Sequence, residues 1–195
     1  MKVKICGITR LEDAQMCEDS GADALGFVHF PGRKRSIPLN EIASIGSTTG
    51  PMLTRVLVCS PHDASDALDM VDRSSTDAIQ VYSLDRESLN EIRDNGVKVI
   101  RAVRPMRSEA LRFADAADAL LFEEGVPGTG TSHDYSRIPI SCCSRAIIAG
   151  GLNATNLDEA KRLGPYALDV SSGVESPTGR KDPVLVSEFI RRCRS

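Results

Sequence analysis

Residues 55–82 read RVLVCSPHDASDALDMVDRSSTDAIQVY, and they contain one complete structural repeat of the chain. Two apolar runs, 55–59 and 78–82, flank a segment in which Ala64, Ala67 and Val71 recur at helical spacing. Short strands that alternate with amphipathic helices are typical of parallel βα units, because each helix carries the chain back to the start of the next strand. The stretch therefore predicts a strand–helix–strand unit.

The same alternation runs through the whole chain. Strands are predicted at residues 3–6, 24–29, 55–59, 78–82, 97–103, 119–123, 146–149 and 168–171. Gly21 and Gly96 follow helical patterns, where a helix C-terminus favours a left-handed residue. Only residues 132–143, which contain Pro139, predict a crossover with little or no regular helix.

Eight parallel βα units without a break in composition favour a closed barrel over an open Rossmann sheet. The predicted fold class is α/β, a (βα)8 TIM barrel of the phosphate-binding type. We expect one catalytic domain over residues 1–195.

The composition is typical of a soluble globular domain, with 41% hydrophobic and 26% charged residues. The formal net charge is −3 and basic residues are scattered among acidic ones, which argues against nucleic acid or an anionic membrane as partner. No apolar run reaches the length of a signal-peptide core or a membrane span, so we expect a cytoplasmic protein.

The cysteine and histidine residues show no pattern typical of a metal site or a disulfide framework. None of the six cysteines forms a C-x-x-C pair, and we interpret them as free thiols, including the adjacent Cys142 and Cys143. His29, His62 and His133 lie far apart and lack metal-ligand spacing. We expect no metal.

Glycine-rich loops follow the last two predicted strands. Gly150 and Gly151 come after the seventh strand, and Ser172 and Gly173 come after the eighth. TIM-barrel active sites lie at the carboxyl ends of the strands, and phosphate is often bound there on backbone N–H groups of these two loops. Either loop alone would also fit a tight turn or a helix cap, but together they predict a phosphate site.

Three ionisable residues lie at other strand ends. A thiol at Cys6 fits a base or nucleophile if positive charge deprotonates it, or simply a small buried side chain. Glu123 and Glu124 follow an apolar strand, where the pKa of a carboxyl can rise enough for general-acid catalysis, and strand alternation favours Glu123. Asp169 is costly inside an apolar strand unless it is hydrogen-bonded or faces the barrel mouth, and both roles stay open.

The basic run Arg33-Lys34-Arg35 follows the second strand. Such a run fits a solvated surface. A guanidinium also offers a planar fork that grips a carboxylate, so one arginine here is a candidate to hold an acidic group of the substrate.

Four motifs together resemble one known family, phosphoribosylanthranilate isomerase, in order and from end to end. They are Lys4-Ile5-Cys6-Gly7-Ile8-Thr9, Gly21-Ala22-Asp23-Ala24-Leu25-Gly26-Phe27, Ala149-Gly150-Gly151-Leu152-Asn153 and Asp169-Val170-Ser171-Ser172-Gly173-Val174-Glu175, which Gly179-Arg180-Lys181-Asp182 extends. The first and last motifs are highly specific to this family among phosphate-binding barrels.

The resemblance implies a cofactor-free Amadori rearrangement in tryptophan biosynthesis. N-(5-phosphoribosyl)anthranilate would become 1-(2-carboxyphenylamino)-1-deoxyribulose 5-phosphate. Glu123 would protonate the furanose ring oxygen, Cys6 would remove the C2′ proton from the resulting iminium, and Arg35 would hold the anthranilate carboxylate. Asp169 would contact the substrate. The phosphorylated aminosugar is the one partner implied, and a monomer or a homodimer is expected.

The chain departs from the family pattern at three places. The family usually has Asp at the acid position, so Glu123 is one methylene longer, or the role passes to Glu124. Tyr82 stands where the family has histidine. The sixth loop keeps part of a Gly-Gly-Thr-Gly motif, which implies substrate contacts from Gly128 and Gly130.

Two other functions fit a barrel of this kind. The histidine-pathway isomerase performs the same chemistry on a two-phosphate substrate, but it uses aspartates after the first and fifth strands, and this chain has Cys6 at the first position. A catalytically inactive barrel kept as a binding partner is the other alternative. The joint presence of Cys6, Arg35, Glu123 and Asp169 argues against it.

Overall fold

The computed structural model describes residues 1–124, 134–177 and 179–195. Within these ranges, eight parallel strands close into a barrel in chain order. The strands are β1 (Lys2–Cys6), β2 (Ala24–His29), β3 (Thr54–Cys59), β4 (Ala78–Val81), β5 (Lys98–Val103), β6 (Ala119–Phe122), β7 (Ala146–Ile148) and β8 (Ala167–Val170). Each predicted strand is found with both ends within one residue of the prediction, and the TIM barrel is confirmed.

Seven α-helices of the described residues surround the barrel, and none of them is long and apolar enough to cross a membrane. They are α1 (Leu11–Asp19), α2 (Leu39–Gly46), α3 (Ala64–Ser74), α4 (Arg86–Asp94), α5 (Arg107–Phe113), α6 (Leu157–Lys161) and α7 (Pro183–Arg194). Between β6 and β7 the described residues form two 3₁₀ helices, Tyr135–Arg137 and Ile140–Cys142, and no α-helix. For residues 134–143, this confirms the prediction of little or no regular helix.

Helix α3 shows how the local sequence sets an element. The Asp63 side chain accepts a hydrogen bond from the backbone N–H of Asp66 and so caps the first turn. Ala64, Ala67 and Val71 are buried against the barrel, as their spacing predicted. Gly21 and Gly96 also have the expected left-handed backbone, with φ of +94° and +85°.

The main hydrophobic core lies between the strands and the surrounding helices, where Ile5, Phe27 and Leu57 are fully buried. The barrel interior contains apolar clusters in which alanines such as Ala102 and Ala167 lie beside larger side chains such as Leu121 and Ile147. Side chains from alternate strands fill such an interior in layers.

A charged pair is buried inside the barrel at the seam between β1 and β8. Lys4 pairs in register with Asp169, and the Lys4 Nζ lies 2.8 Å from the Asp169 Oδ1. The side chains are 3% and 9% exposed. Burial alone would lower the pKa of Lys4, but the charges of Asp169 and Cys6 raise it above its ordinary value, so the ammonium stays charged.

We expect Lys4→Met to lower the free energy of unfolding by about 3 kcal/mol, because it leaves the Asp169 carboxylate buried without its cation. The double variant Lys4→Met/Asp169→Leu should recover more than half of this loss, since no unpaired charge remains. The control is Lys2→Met, which breaks a pair of Lys2 with Asp23 at 2.7 Å but with 58% of the lysine side chain exposed. It should cost under about 1 kcal/mol.

Urea unfolding followed by circular dichroism measures all three values. A double variant as unstable as Lys4→Met alone would show that the pair is not the source of the loss.

Candidate active site

A cavity of about 880 Å³ opens at the carboxyl ends of the strands. Seven residues predicted from the sequence line it, namely Cys6, Arg35, Glu123, Gly150, Gly151, Asp169 and Ser172. Gly173 does not line it but lies beside it, and Gly128 and Gly130 fall outside the described residues. The barrel therefore brings together residues that are up to 166 positions apart, from 6 to 172.

Cys6 ends β1 and points into the barrel, directly opposite Gly26 of β2. A Cβ atom on Gly26 would stand 2.7 Å from the Cys6 Sγ and 3.0 Å from the Lys4 Nζ. Only glycine therefore leaves room for the thiol and the ammonium side by side. Lys4 is a residue that sequence reasoning missed, although strand alternation places it on the same face as Cys6.

The groups around Cys6 have opposing effects on the pKa of its thiol. Burial raises its pKa, the ammonium groups of Lys4 and Lys181 lower it, and the Asp169 carboxylate raises it. The net effect is a pKa above the ordinary value. The positive charge expected beside this thiol is present, but desolvation outweighs it.

Arg35 is fixed in the cavity wall by a carboxylate. Its Nε and Nη2 donate to the two oxygens of Glu175 at 2.8 and 2.7 Å, and only 11% of its side chain is exposed. The interpretation of Arg35 as solvated surface is therefore wrong. Gly7, at φ +81°, leaves room for the Arg35 side chain, because a Cβ on Gly7 would lie 2.5 Å from the Arg35 Cδ.

Lys181 is the second cation that contacts Glu175. Its Nζ, fully buried, donates to the Cys6 carbonyl at 2.6 Å, to the Ser171 carbonyl at 3.2 Å and to Glu175 at 2.8 Å. Burial would raise the pKa of Glu175, but Arg35 and Lys181 lower it to about 2. Glu175 stays ionised and holds the guanidinium in place, a role that sequence reasoning missed although Glu175 belongs to the last motif.

The structure distinguishes the two adjacent glutamates. Strand β6 ends at Phe122, and the Glu123 N–H donates to the Val103 carbonyl, one residue past the strand. Glu123 lines the cavity, and Glu124 is exposed and outside the cavity lining. The Tyr82 hydroxyl donates to the Glu123 Oε2 at 3.3 Å.

The glycine loops after β7 and β8 meet at one edge of the cavity. Gly150 and Gly151 have φ of +89° and +65°, a backbone that favours glycine. A Cβ on Gly173 would collide with the carbonyl oxygen of Leu152, so only glycine lets the two loops touch. The Tyr135 hydroxyl donates to the Gly150 carbonyl at 2.6 Å and holds the first loop from behind.

The backbone N–H groups of these loops are the candidate donors to a bound anion. Within the described ranges, no hydrogen bond to another residue uses the backbone N–H of Gly151, Ser172 or Gly173. A 3₁₀ helix, Ser172–Val174, begins in the second loop. Backbone N–H groups without a protein acceptor can donate to an anion such as phosphate.

Comparisons with known proteins agree with this arrangement over the full length. The family model for N-(5'phosphoribosyl)anthranilate (PRA) isomerase matches residues 3–192. The N-(5'-phosphoribosyl)anthranilate isomerase of Methanothrix thermoacetophila is 38% identical, with 100% of this chain and 98% of the relative covered.

Two solved structures are similar to the whole chain. The phosphoribosyl anthranilate isomerase from Thermus thermophilus has a TM-score of 0.91 at 35% identity, with 100% of this chain and 98% of that chain covered. A phosphoribosyl anthranilate isomerase in complex with reduced 1-(o-carboxyphenylamino)-1-deoxyribulose 5-phosphate has a TM-score of 0.89 at 32% identity, with the same coverage. Sequence, fold and cavity thus agree, and the chain belongs to the N-(5'-phosphoribosyl)anthranilate isomerase family.

Proposed function

We propose that the protein isomerises N-(5-phosphoribosyl)anthranilate to 1-(2-carboxyphenylamino)-1-deoxyribulose 5-phosphate in tryptophan biosynthesis. Family membership over residues 3–192 supports the reaction, and the relative solved with a reduced form of this product supports the ligand class. One observation carries the proposal: a thiol, a carboxyl, a guanidinium and two glycine loops line the same cavity.

The substrate is an anion at both ends, and the cavity offers one group for each end. The backbone N–H groups of Gly151, Ser172 and Gly173 would bind the phosphate. Arg35, which lines the cavity and is oriented by Glu175, would bind the anthranilate carboxylate. Because the protein has a net charge of −3, these local donors supply the attraction that the molecule as a whole does not.

Ring opening requires a proton donor, and Glu123 is positioned for it in the cavity wall. Its carboxyl group would give a proton to the furanose ring oxygen as the C1′–O bond breaks. The nitrogen lone pair forms the C1′=N bond of an iminium, and the ring oxygen becomes a hydroxyl. Glu123 is left as a carboxylate.

Proton removal from C2′ requires a base, and Cys6 is the candidate. The iminium withdraws electrons from the C2′–H bond and is itself a cation that favours the thiolate, in addition to Lys4 and Lys181. The thiolate takes the proton and an enolamine forms. Loss of the enol proton and protonation of C1′ then give the ketone, with no net oxidation and no cofactor.

A first test replaces the base. Cys6→Ser should lower kcat by about 10² to 10⁴, because a hydroxyl is a far weaker base than a thiolate. It should still bind the reduced product with near-normal affinity. The control Cys142→Ser changes a half-buried thiol outside the cavity and should keep full activity.

Loss of phosphoribosylanthranilate fluorescence measures turnover in these variants. Near-normal kcat in Cys6→Ser would remove the thiol from the mechanism. No turnover in the unaltered protein would favour the inactive binding barrel instead.

A second test separates the two glutamates. Glu123→Gln should lower kcat by about 10² or more, since an amide has no proton to give at neutral pH. Glu123→Asp should keep partial activity, because the acid is retained on a shorter chain. Glu124→Gln, with the same change one residue further along and outside the cavity lining, should behave as wild type. The reverse result would transfer the acid role to Glu124.

A third test concerns the phosphate loops. Gly173→Ala should raise KM at least tenfold, because the added methyl pushes the loop away from the Leu152 carbonyl and misplaces the N–H donors. The control Gly96→Ala adds the same methyl group at a glycine outside the cavity lining, which has φ +85° and no atom within 4 Å of the added carbon. It should lose stability and keep its KM. Steady-state kinetics decides, and an unchanged KM in Gly173→Ala would remove the loop contact from the site.

A further inference from the structure

Tyr82 follows β4 and places its hydroxyl group between two polar side chains inside the barrel. The Gln80 Nε2 donates to the Tyr82 oxygen at 3.1 Å, and the Tyr82 hydroxyl donates to the Glu123 Oε2 at 3.3 Å. We propose that Tyr82 is a positioning residue for the general acid, which orients the Glu123 carboxyl and stabilises it once its proton has left. This inference rests on the proposed role of Glu123.

The direction of these hydrogen bonds follows from the number of hydrogens available. The phenol has one hydrogen, and the Gln80 amide occupies a lone pair of its oxygen, so the hydrogen is left for Glu123. Gln80 is 1% exposed, so its amide is shielded from bulk solvent. Burial, followed by the charge of Glu123, raises the pKa of Tyr82 well above its ordinary value, so the hydroxyl keeps its proton.

Packing holds the phenol ring in this position. Its ring lies edge-on to Phe30, with 5.9 Å between the ring centres and 73° between the planes. Ala102 of β5, between β4 and β6 in the barrel, belongs to the same interior cluster as Tyr82.

The hydrogen bond from Tyr82 to Glu123 stabilises the transition state more than it stabilises the ground state. As Glu123 gives its proton to the ring oxygen, its carboxyl becomes a carboxylate and the hydrogen bond from Tyr82 becomes charge-assisted, which roughly doubles its strength. An interaction that strengthens along the reaction raises kcat rather than substrate affinity. The glutamate also has one more rotatable bond than an aspartate, and the anchored phenol restricts it.

The test is Tyr82→Phe, which keeps the ring and its contact with Phe30 and removes the donor. We expect kcat to fall about tenfold to a hundredfold, the range for losing one hydrogen bond to a charged group, with KM changed less than about twofold. The alkaline limb of the kcat–pH profile should move to higher pH, because the carboxylate form has lost its donor. Tyr166→Phe, a half-exposed tyrosine at the amino-terminal end of the barrel, is the control and should leave kcat and the profile unchanged.

Combining the variants separates this inference from the proposed function. In a Glu123→Gln background, Tyr82→Phe should cause no further loss, since its effect depends on the carboxyl. The same fold-loss in both backgrounds would show that Tyr82 acts independently of Glu123 and would overturn the inference alone. An unshifted pH profile would do so as well. Full activity of Glu123→Gln by itself would overturn the acid assignment, and this role of Tyr82 with it.

Discussion

The buried ion pair between Lys4 and Asp169 is the constraint around which the active end of the barrel is organised. It joins the first and last strands where the barrel closes, so that side chains from both termini of the sequence share one interior. Its charges face Cys6 directly, and Asp169 also lines the cavity. The two roles left open for Asp169 from the sequence, an internal hydrogen bond and a position at the barrel mouth, are therefore both found.

A second charged cluster consists of Arg35, Glu175 and Lys181. Lys181 donates to the backbone carbonyls at the ends of β1 and β8, and it shares Glu175 with Arg35. Arg35 and Lys181 share the carboxylate of Glu175, which offsets part of the large cost of desolvating them. The cluster positions one guanidinium at the cavity and keeps a net positive charge there.

The proposed acid and base differ mainly in their surroundings. Cys6 is buried between two ammonium groups and a carboxylate, and burial keeps the pKa of its thiol above the ordinary value. Glu123 lines the cavity beside a phenol donor, two strands away from β8 in the barrel. A substrate held by its two ends would lie between Cys6 and Glu123. Glu123 would then donate to the ring oxygen, and Cys6 would remove the C2′ proton.

The sequence alone determined the order and position of the strands, because apolar runs and helical periodicity are local properties of the chain. It also determined the glycine loops and the candidate residues after each strand, since a closed parallel barrel places every carboxyl end at one mouth. The tertiary structure showed that Glu123, the residue favoured by strand alternation, lines the cavity and that Glu124 does not, which depends on the path of the chain after β6. It also revealed the contact of Tyr82 with Glu123, residues 41 positions apart, because no sequence period relates side chains on strands that meet only through the closed barrel.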